Sequence, residues 1–442
     1  MAGVAPGVFA PGHLGELTRI IPFEMVDDVL AQTRAHERRV RLVPARVTVY
    51  LLLAAALFTG LGYRQVFDRL CAGLAGLAPL RPSGSALRQA RQRLGAAPMK
   101  ALFDLLSGPA VTTAAAGWWR GLRLVAVDGT LLSVPDCAAN LARFTRQRLG
   151  NGISGYPQLR LTVLLSCGTR SLIAAAFGPA TTGELDYARR LAAQLRAGML
   201  LLGDRNFAAT DLLNHLAATG ADLLVRCKSG RNLPAVARCR DGSALARLGA
   251  LTVRVIDAEI TIRTAAGIRS SHYRLLTTLT DASRHPAADL VRLYHERWEI
   301  ETTYAELKST ILGGHILRSR TPDGIEQEVW ALLTVYQVLR IAMTDATDSV
   351  PGLDPDRAGF TTALAAARDQ LILAAGVITG TDIDLIGSIG RHVLAHLLPA
   401  RRVRTKDRIV KRAISKYNAR GPAIDRTTYK ATISINMLRA SP

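Results

Sequence analysis

Apolar residues in the first 115 positions recur every three to four places, in runs at 14–32, 45–60, 63–72, 85–95 and 98–107, which predicts a bundle of helices. From Trp118 the texture changes. LRLVAVD, RLTVLLSC and SLIAAAFG are short apolar runs closed by Gly or polar residues, and they read as three buried strands, antiparallel because the links between them are short. ELDYARRLAAQL returns to helical spacing, and GMLLLGD is a fourth strand. A helix at 208–219 and a strand in ADLLVRCK come next. The alternating runs ALTVRVI, EITIRT and SSHYRLLTTLT then suggest a small β subdomain at about 221–283. A long helix at 286–311 and two more at 323–345 and 357–376 complete the pattern.

Composition narrows what such a chain can partner. It has 442 residues, enough for two to four domains, and 49% hydrophobic content with mean hydropathy +0.16 excludes a disordered chain. Against 35 acidic residues stand 56 Lys and Arg, a net charge of +21 and a pI of 10.6. That balance calls for a polyanionic partner, with nucleic acid first; a ribosome-associated or simply basic protein is the alternative. Arg38, Arg39, Arg41, Arg46, Arg88, Arg91 and Arg93 give the helical region a basic bias, which reads as a surface able to grip duplex ends through phosphates or as a solvated bundle surface. A second basic run, RRVRTKDRIVKRAISKYNAR at 401–420, reads as a phosphate-contacting arm or helix, or as a disordered tail. The five cysteines include no CxxC pair, so they are expected to be reduced, buried thiols in a cytosolic protein. Met1–Pro11 has no signal-peptide character. The uncharged stretch Val47–Tyr63 sits at the lower edge of membrane-spanning length and reads better as a buried helix of a soluble bundle.

Candidate chemistry lies in three places. YHERWEIETTYAELK sets Tyr294, Arg297, Glu301 and Lys308 at Tyr-x2-Arg-x3-Glu-x6-Lys, and steps of three, four and seven return to one side of a helix. One carboxylate among two cations and a phenol suits a site that holds a metal and a phosphate backbone; a solvated face with salt bridges has the same pattern. Asp128 closes the apolar run LRLVAVD and is followed by Gly129, and Asp204 closes GMLLLGD, so each is expected to emerge at a strand end. Either alone could be a turn or a helix cap. Together, Asp128, Asp204 and Glu301 make a three-carboxylate oxygen site suited to Mg²⁺.

VDGT at Asp128, GDRNF at Asp204 and the Tyr-Arg-Glu-Lys signature resemble the DDE transposases of bacterial insertion sequences, most closely the insertion-element-four family. RRVRLVPARVTVYLLLAAALF, GYRQVFDRL and SALRQARQRLGAAPMKALFDLL look like that family's N-terminal domain, so the resemblance covers most of residues 10–345. It implies an α/β, ribonuclease H-like catalytic core at 116–345 with an inserted β subdomain. An α-helical DNA-binding domain at 1–115 would precede it, and a helical, basic C-terminal region at 346–442 would follow.

The same resemblance implies a mechanism. Asp128, Asp204 and Glu301 would hold two Mg²⁺ ions roughly 3.5–4 Å apart, with Mn²⁺ able to substitute. Hydrolysis would free the element's 3′ end, which then attacks target DNA without a covalent protein intermediate. Tyr294, Arg297 and Lys308 would contact phosphates near the cleaved end; Arg205, read from its place after Asp204, could reach another phosphate or pair with that Asp. The implied partners are inverted-repeat ends and target DNA, held by a functional homodimer in a synaptic complex, in the cytoplasm at the nucleoid and away from membranes. Some relatives cut the second strand through a hairpin with a base flipped onto an aromatic ring; here Trp298 is expected in the core, which leaves that route open. Asp136, Glu299 and Glu306 are expected as surface charges, His295 as surface or packing, and Glu184 as a helix-start carboxylate. A catalytically silent DNA-binding relative, or a nuclease without strand transfer, are the competing readings.

Overall fold

A computed structural model describes residues 11–37, 39, 41–73, 80–110, 112, 116–149, 152–265, 267–374, 386–399 and 432–438. The basic run 401–420 and Arg38 lie outside the described residues.

The five N-terminal runs become α1 (Phe23–Gln32), α2 (Ala45–Leu57), α3 (Tyr63–Ala72), α4 (Gly84–Leu94) and α5 (Ala97–Leu106). Every residue of α2 except Arg46 is buried, which explains why its sequence is apolar all round. No helix among the described residues is long and apolar enough to cross a membrane. The expected basic face is partly spent on the fold. Arg91 stacks on the Tyr63 ring at 3.8 Å and donates to Ser319, Arg46 pairs with Asp27, and Arg93 pairs with Glu37. Arg39, Arg41 and Arg88 remain exposed.

Beyond Gly117 the described strands form one sheet. They are β1 (Trp118–Trp119), β2 (Leu122–Ser133), β3 (Arg146–Leu149), β4 (Gly152–Ser166), β5 (Leu172–Pro179), β6 (Met199–Gly203) and β7 (Asp222–Cys227). The rest are β8 (Ala235–Arg238), β9 (Ala244–Leu248), β10 (Leu251–Thr264), β11 (Gly267–Thr277) and β12 (Thr432–Leu438). Their order is β3-β4-β2-β6-β7-β11-β10-β9-β8, with β1 on β2, β5 on β4 and β12 on β10. β2, β6 and β7 run parallel, while β2–β4 and β4–β5 are antiparallel as expected.

Two features depart from the sequence pattern. The run at 221–283 does not close on itself as a small subdomain: β11 hydrogen-bonds to β7, so these strands prolong the central sheet. The C-terminal part also supplies a strand, β12, which pairs with β10 from Asp257↔Leu438 to Arg263↔Thr432. TISINML is short and lies far along the chain from its partner, so only the tertiary pairing makes it a strand.

The central strands are apolar on both faces because both are covered. Leu124 and Ala126 of β2 face a core shared with the N-terminal helices and α11 (Pro322–Asp348), while Val125 and Val127 face a second core with α7 (Glu184–Leu191) and α8 (Thr210–Ala217). α11 is buried along most of its length and packs on α2, α5, α12 (Phe360–Ile372) and α13 (Gly387–Ala395). The N-terminal bundle is thereby fastened to the sheet. Arg318 reinforces the joint by donating to the carbonyls of Ala55 and Leu61 while it pairs with Glu328.

The expected long helix at 286–311 is helical throughout but irregular. α9 (Ala287–Leu293) tightens to a 3₁₀ turn at Tyr294–Arg297, continues as α10 (Trp298–Ala305), and widens to a π turn at Glu306–Ile311. Changes of winding of this kind often mark functional positions.

Candidate active site

β2 and β6 are paired in parallel with Val127 opposite Gly203, so Asp128 and Asp204 come next on each chain. Asp204 leaves the sheet as expected and caps a 3₁₀ turn, its Oδ1 accepting from the Asn206 N–H at 2.7 Å. Asp128 does not stand at a strand end. β2 runs on to Ser133 because Asp128–Ser133 keep their partners on β4, and no turn forms at Asp-Gly.

The helical segment lies across these two strands and is tied to them by its polar residues. Tyr304 donates to the carbonyl of Asp128 at 2.5 Å, Tyr294 to the carbonyl of Gly203 at 3.0 Å, and Lys308 to Thr130 Oγ1 at 3.3 Å. Arg297 joins the carboxylates: one nitrogen stands 3.6 Å from Asp128 Oδ2 and the other 2.8 Å from Glu301 Oε1. The structure thus assembles Asp128, Asp204, Tyr294, Arg297, Glu301 and Lys308 in one place. The Tyr294 side chain is buried and its hydroxyl is already engaged, so it is not free for the hydrogen bond to a phosphate that the sequence suggested.

Electrostatics single out Asp128. Burial, then the charge of Asp204, push its carboxyl up to about 7; Glu184 adds to the effect, and Arg297 with the Gly129 N–H opposes it. For Arg297 burial works against the charge, but Tyr294, Asp128 and Glu301 outweigh it and hold the guanidinium cationic.

A cavity of about 190 Å³ opens beside Asp204, lined among others by Arg205, Arg226, Tyr273, Tyr294 and Trp298. Arg205 is exposed. Trp298 is half-buried on this wall, with His295 beside it, and is not part of the core.

Other expectations were wrong for a shared reason. Glu299 and Glu306 are buried, not surface charges, because the helix is sandwiched between sheet and α11. Glu306 accepts from Tyr336 at 2.9 Å and pairs with Arg340 and Arg170, while Glu299 accepts from the Gly168 N–H at 2.6 Å. Asp136 is a surface charge paired with Arg146. Cys167 and Cys227 are buried, the other three cysteines are half-buried, and all five are free. Glu184 does open α7, but its side chain also reaches Asn206.

Sequence comparison agrees with this geometry. Residues 11–104 match the model of the insertion element 4 transposase N-terminal region, and residues 119–338 match the transposase DDE domain. The chain belongs to the insertion element 4 family of DDE transposases. Among its relatives is Transposase InsG for insertion sequence element IS4 of Escherichia coli (strain K12), 29% identical over 403 residues, covering 89% of this chain and 91% of that protein. Putative transposase InsZ of the same strain is 27% identical over 209 residues, 46% of this chain and 67% of that one. A cryo-EM structure of a piggyBac transposase synaptic complex with hairpin DNA aligns over 88% of this chain and 86% of that chain, at 13% identity and TM-score 0.43.

DDE transposases depend on a divalent metal, and the transposase's residues suit one in kind. Asp128, Asp204 and Glu301 are hard oxygen donors whose mutual repulsion is relieved here only in part by Arg297. Among the described residues no three such groups stand close enough to hold an ion as they are, since Arg297 occupies the ground between Asp128 and Glu301.

Tyr304 had no place in the sequence reading. Its hydroxyl fixes the backbone of β2 at Asp128 from a buried position. Tyr304→Phe is expected to cost about 1 kcal/mol in urea unfolding. End cleavage should slow about tenfold as Asp128 loses that anchor, measured as a single-turnover rate.

Proposed function

We propose that this transposase cuts DNA at the ends of an insertion sequence and joins the freed 3′ ends to target DNA, with Asp128, Asp204 and Glu301 as the ligands of two Mg²⁺ ions, for which Mn²⁺ can substitute. The observation that carries the reading is that Arg297 bridges Asp128 of β2 and Glu301 of α10, while Asp204, directly after β6, is near enough for its charge to raise the Asp128 carboxyl. The strand order β5-β4-β2-β6-β7, antiparallel then parallel, supports a ribonuclease H-like core, with one aspartate on β2 and the other just past the end of its parallel neighbour β6.

Bound metal would lower the pKa of the attacking water or 3′-hydroxyl and steady the leaving oxygen. The chain's own groups prepare that step. Tyr304 and Tyr294 fix the backbone under Asp128 and Asp204. Arg297, released from Glu301, and Lys308 would hold the phosphates flanking the cut, with exposed Arg205 on the next. Trp298 and Tyr273, the latter with Arg226 over its ring at 4.0 Å, line the cavity beside Asp204 and would take an unstacked base, which keeps a hairpin route to the second strand within the proposal.

The finer organisation is part of the same reading. Residues 1–115 form the DNA-binding domain, 116–345 the catalytic domain, and 346–442 the C-terminal region. Two chains synapse the inverted-repeat ends, and the protein works at the nucleoid. The test is a duplex carrying the gene's native flank, incubated with Mg²⁺ or with EDTA. Metal-dependent nicking at one discrete end, followed by joining to a second duplex, supports the reading. Nicking without joining would leave a nuclease, and tight binding without nicking a silent DNA-binding relative.

A further inference from the structure

Glu184 is a fourth carboxylate beside the catalytic pair. It opens α7, directly after the β5 strand and its turn. Its Oε1 lies against the Cα of Gly129, the residue after Asp128: a methyl group built there would stand 2.0 Å from that oxygen. Its Oε2 accepts from the side-chain amide of Asn206, whose backbone N–H in turn donates to Asp204 Oδ1. One side chain therefore touches both aspartate-bearing segments, Gly129 on β2 and Asn206 after β6. A carboxylate that served only the helix dipole would need neither contact. Gly129 is the position that admits it, since any larger residue there would displace Glu184 from the strand.

We propose that Glu184 is a positioning residue of the metal centre, locking Asp128 and Asp204 into register through Gly129 and Asn206 and adding outer-sphere negative charge for the cation they hold. This rests on the reading of Asp128 and Asp204 as metal ligands. Groups one step outside the ligands change metal affinity by roughly 10–100-fold when removed. Glu184→Gln keeps an oxygen for Asn206 while removing the charge and one accepting oxygen; Glu184→Asp keeps the charge on a shorter arm.

The experiment uses the full chain: Mn²⁺ binding by calorimetry, the Mn²⁺ concentration for half-maximal cleavage, and duplex binding and melting in EDTA. Asp128→Asn runs in parallel. The expected result for Glu184→Gln is Mn²⁺ affinity weaker by about tenfold or more, with a matching rise in the metal needed for cleavage. Duplex binding in EDTA should stay as in the unaltered chain, with a melting temperature no lower than that chain's, and Glu184→Asp should recover part of the affinity. Unchanged Mn²⁺ affinity in Glu184→Gln, with affinity lost in Asp128→Asn, overturns the role of Glu184 alone. A lower melting temperature in EDTA without a change in metal affinity overturns it too, as a plain structural contact. If Asp128→Asn also binds Mn²⁺ normally, the metal-site reading fails and takes this inference with it.

Discussion

Asp128→Asn is expected to stop end cleavage, by at least about 10³-fold, while making the metal-free protein more stable. The loss follows, on the function proposed above, from removing a metal ligand whose charge supports several kcal/mol of transition-state stabilisation, about 4 kcal/mol for that factor. The gain follows from the carboxyl's environment. Burial and the nearby Asp204 push Asp128 up to about 7, above the 3.8 of a free side chain. Below about pH 4 the group is protonated folded and unfolded, and it costs nothing. Between about 4 and 7 the unfolded chain ionises first, so stability falls as pH rises; above that the full penalty, up to about 4 kcal/mol, is present. Melting in EDTA should therefore show the variant ahead by most at pH 8 and by less at pH 5. A variant no more stable than the parent at pH 8 would contradict this account of the charge.

Glu306→Ala is expected to destabilise the protein by about 3–5 kcal/mol, because it leaves Arg340 and Arg170 buried without their shared partner. This cluster lies behind the helix that carries Glu301 and ties it to α11, to Asp356 through Arg170, and through Gly168 and Glu299 to the turn after β4. The control is Glu306→Leu combined with Arg340→Met, which removes both charges of one pair. It should recover much of the loss, since well-packed apolar groups often replace buried ion pairs at little cost. Urea unfolding of the two variants distinguishes an unpaired charge from a simple cavity.

The strands and helices around the site were legible because local pattern decides them. LRLVAVD and GMLLLGD are apolar on both faces since the sheet is covered on both, and Gly203 marks where β6 ends. Spacing in YHERWEIETTYAELK was enough to bring Arg297 and Glu301 to one place, although the winding is not regular. What failed depends on neighbours that spacing does not carry. Asp128 looks like a strand end because polar residues follow it, yet β4 continues alongside. Glu299 and Glu306 look solvated because a helix is assumed to have one wet side, and this one has none there. Tyr304 could have been found: a phenol three residues after Glu301 falls on the same helix side. Glu184 could not, since nothing in TTGEL points to Asn206 or Gly129.

The pairing of β12 with β10 sets a condition on synthesis. Residues 257–263 wait for partners at 432–438, which are synthesised long after them. Until then that stretch of β10 has β11 on one side and an open row of backbone groups on the other. A nascent chain stalled before residue 432, or a product lacking 432–438, would carry this adhesive edge with Asp128, Asp204 and Glu301 already in place. Loss of residues 432–438 should therefore yield a protein that clumps with itself although all three carboxylates are present.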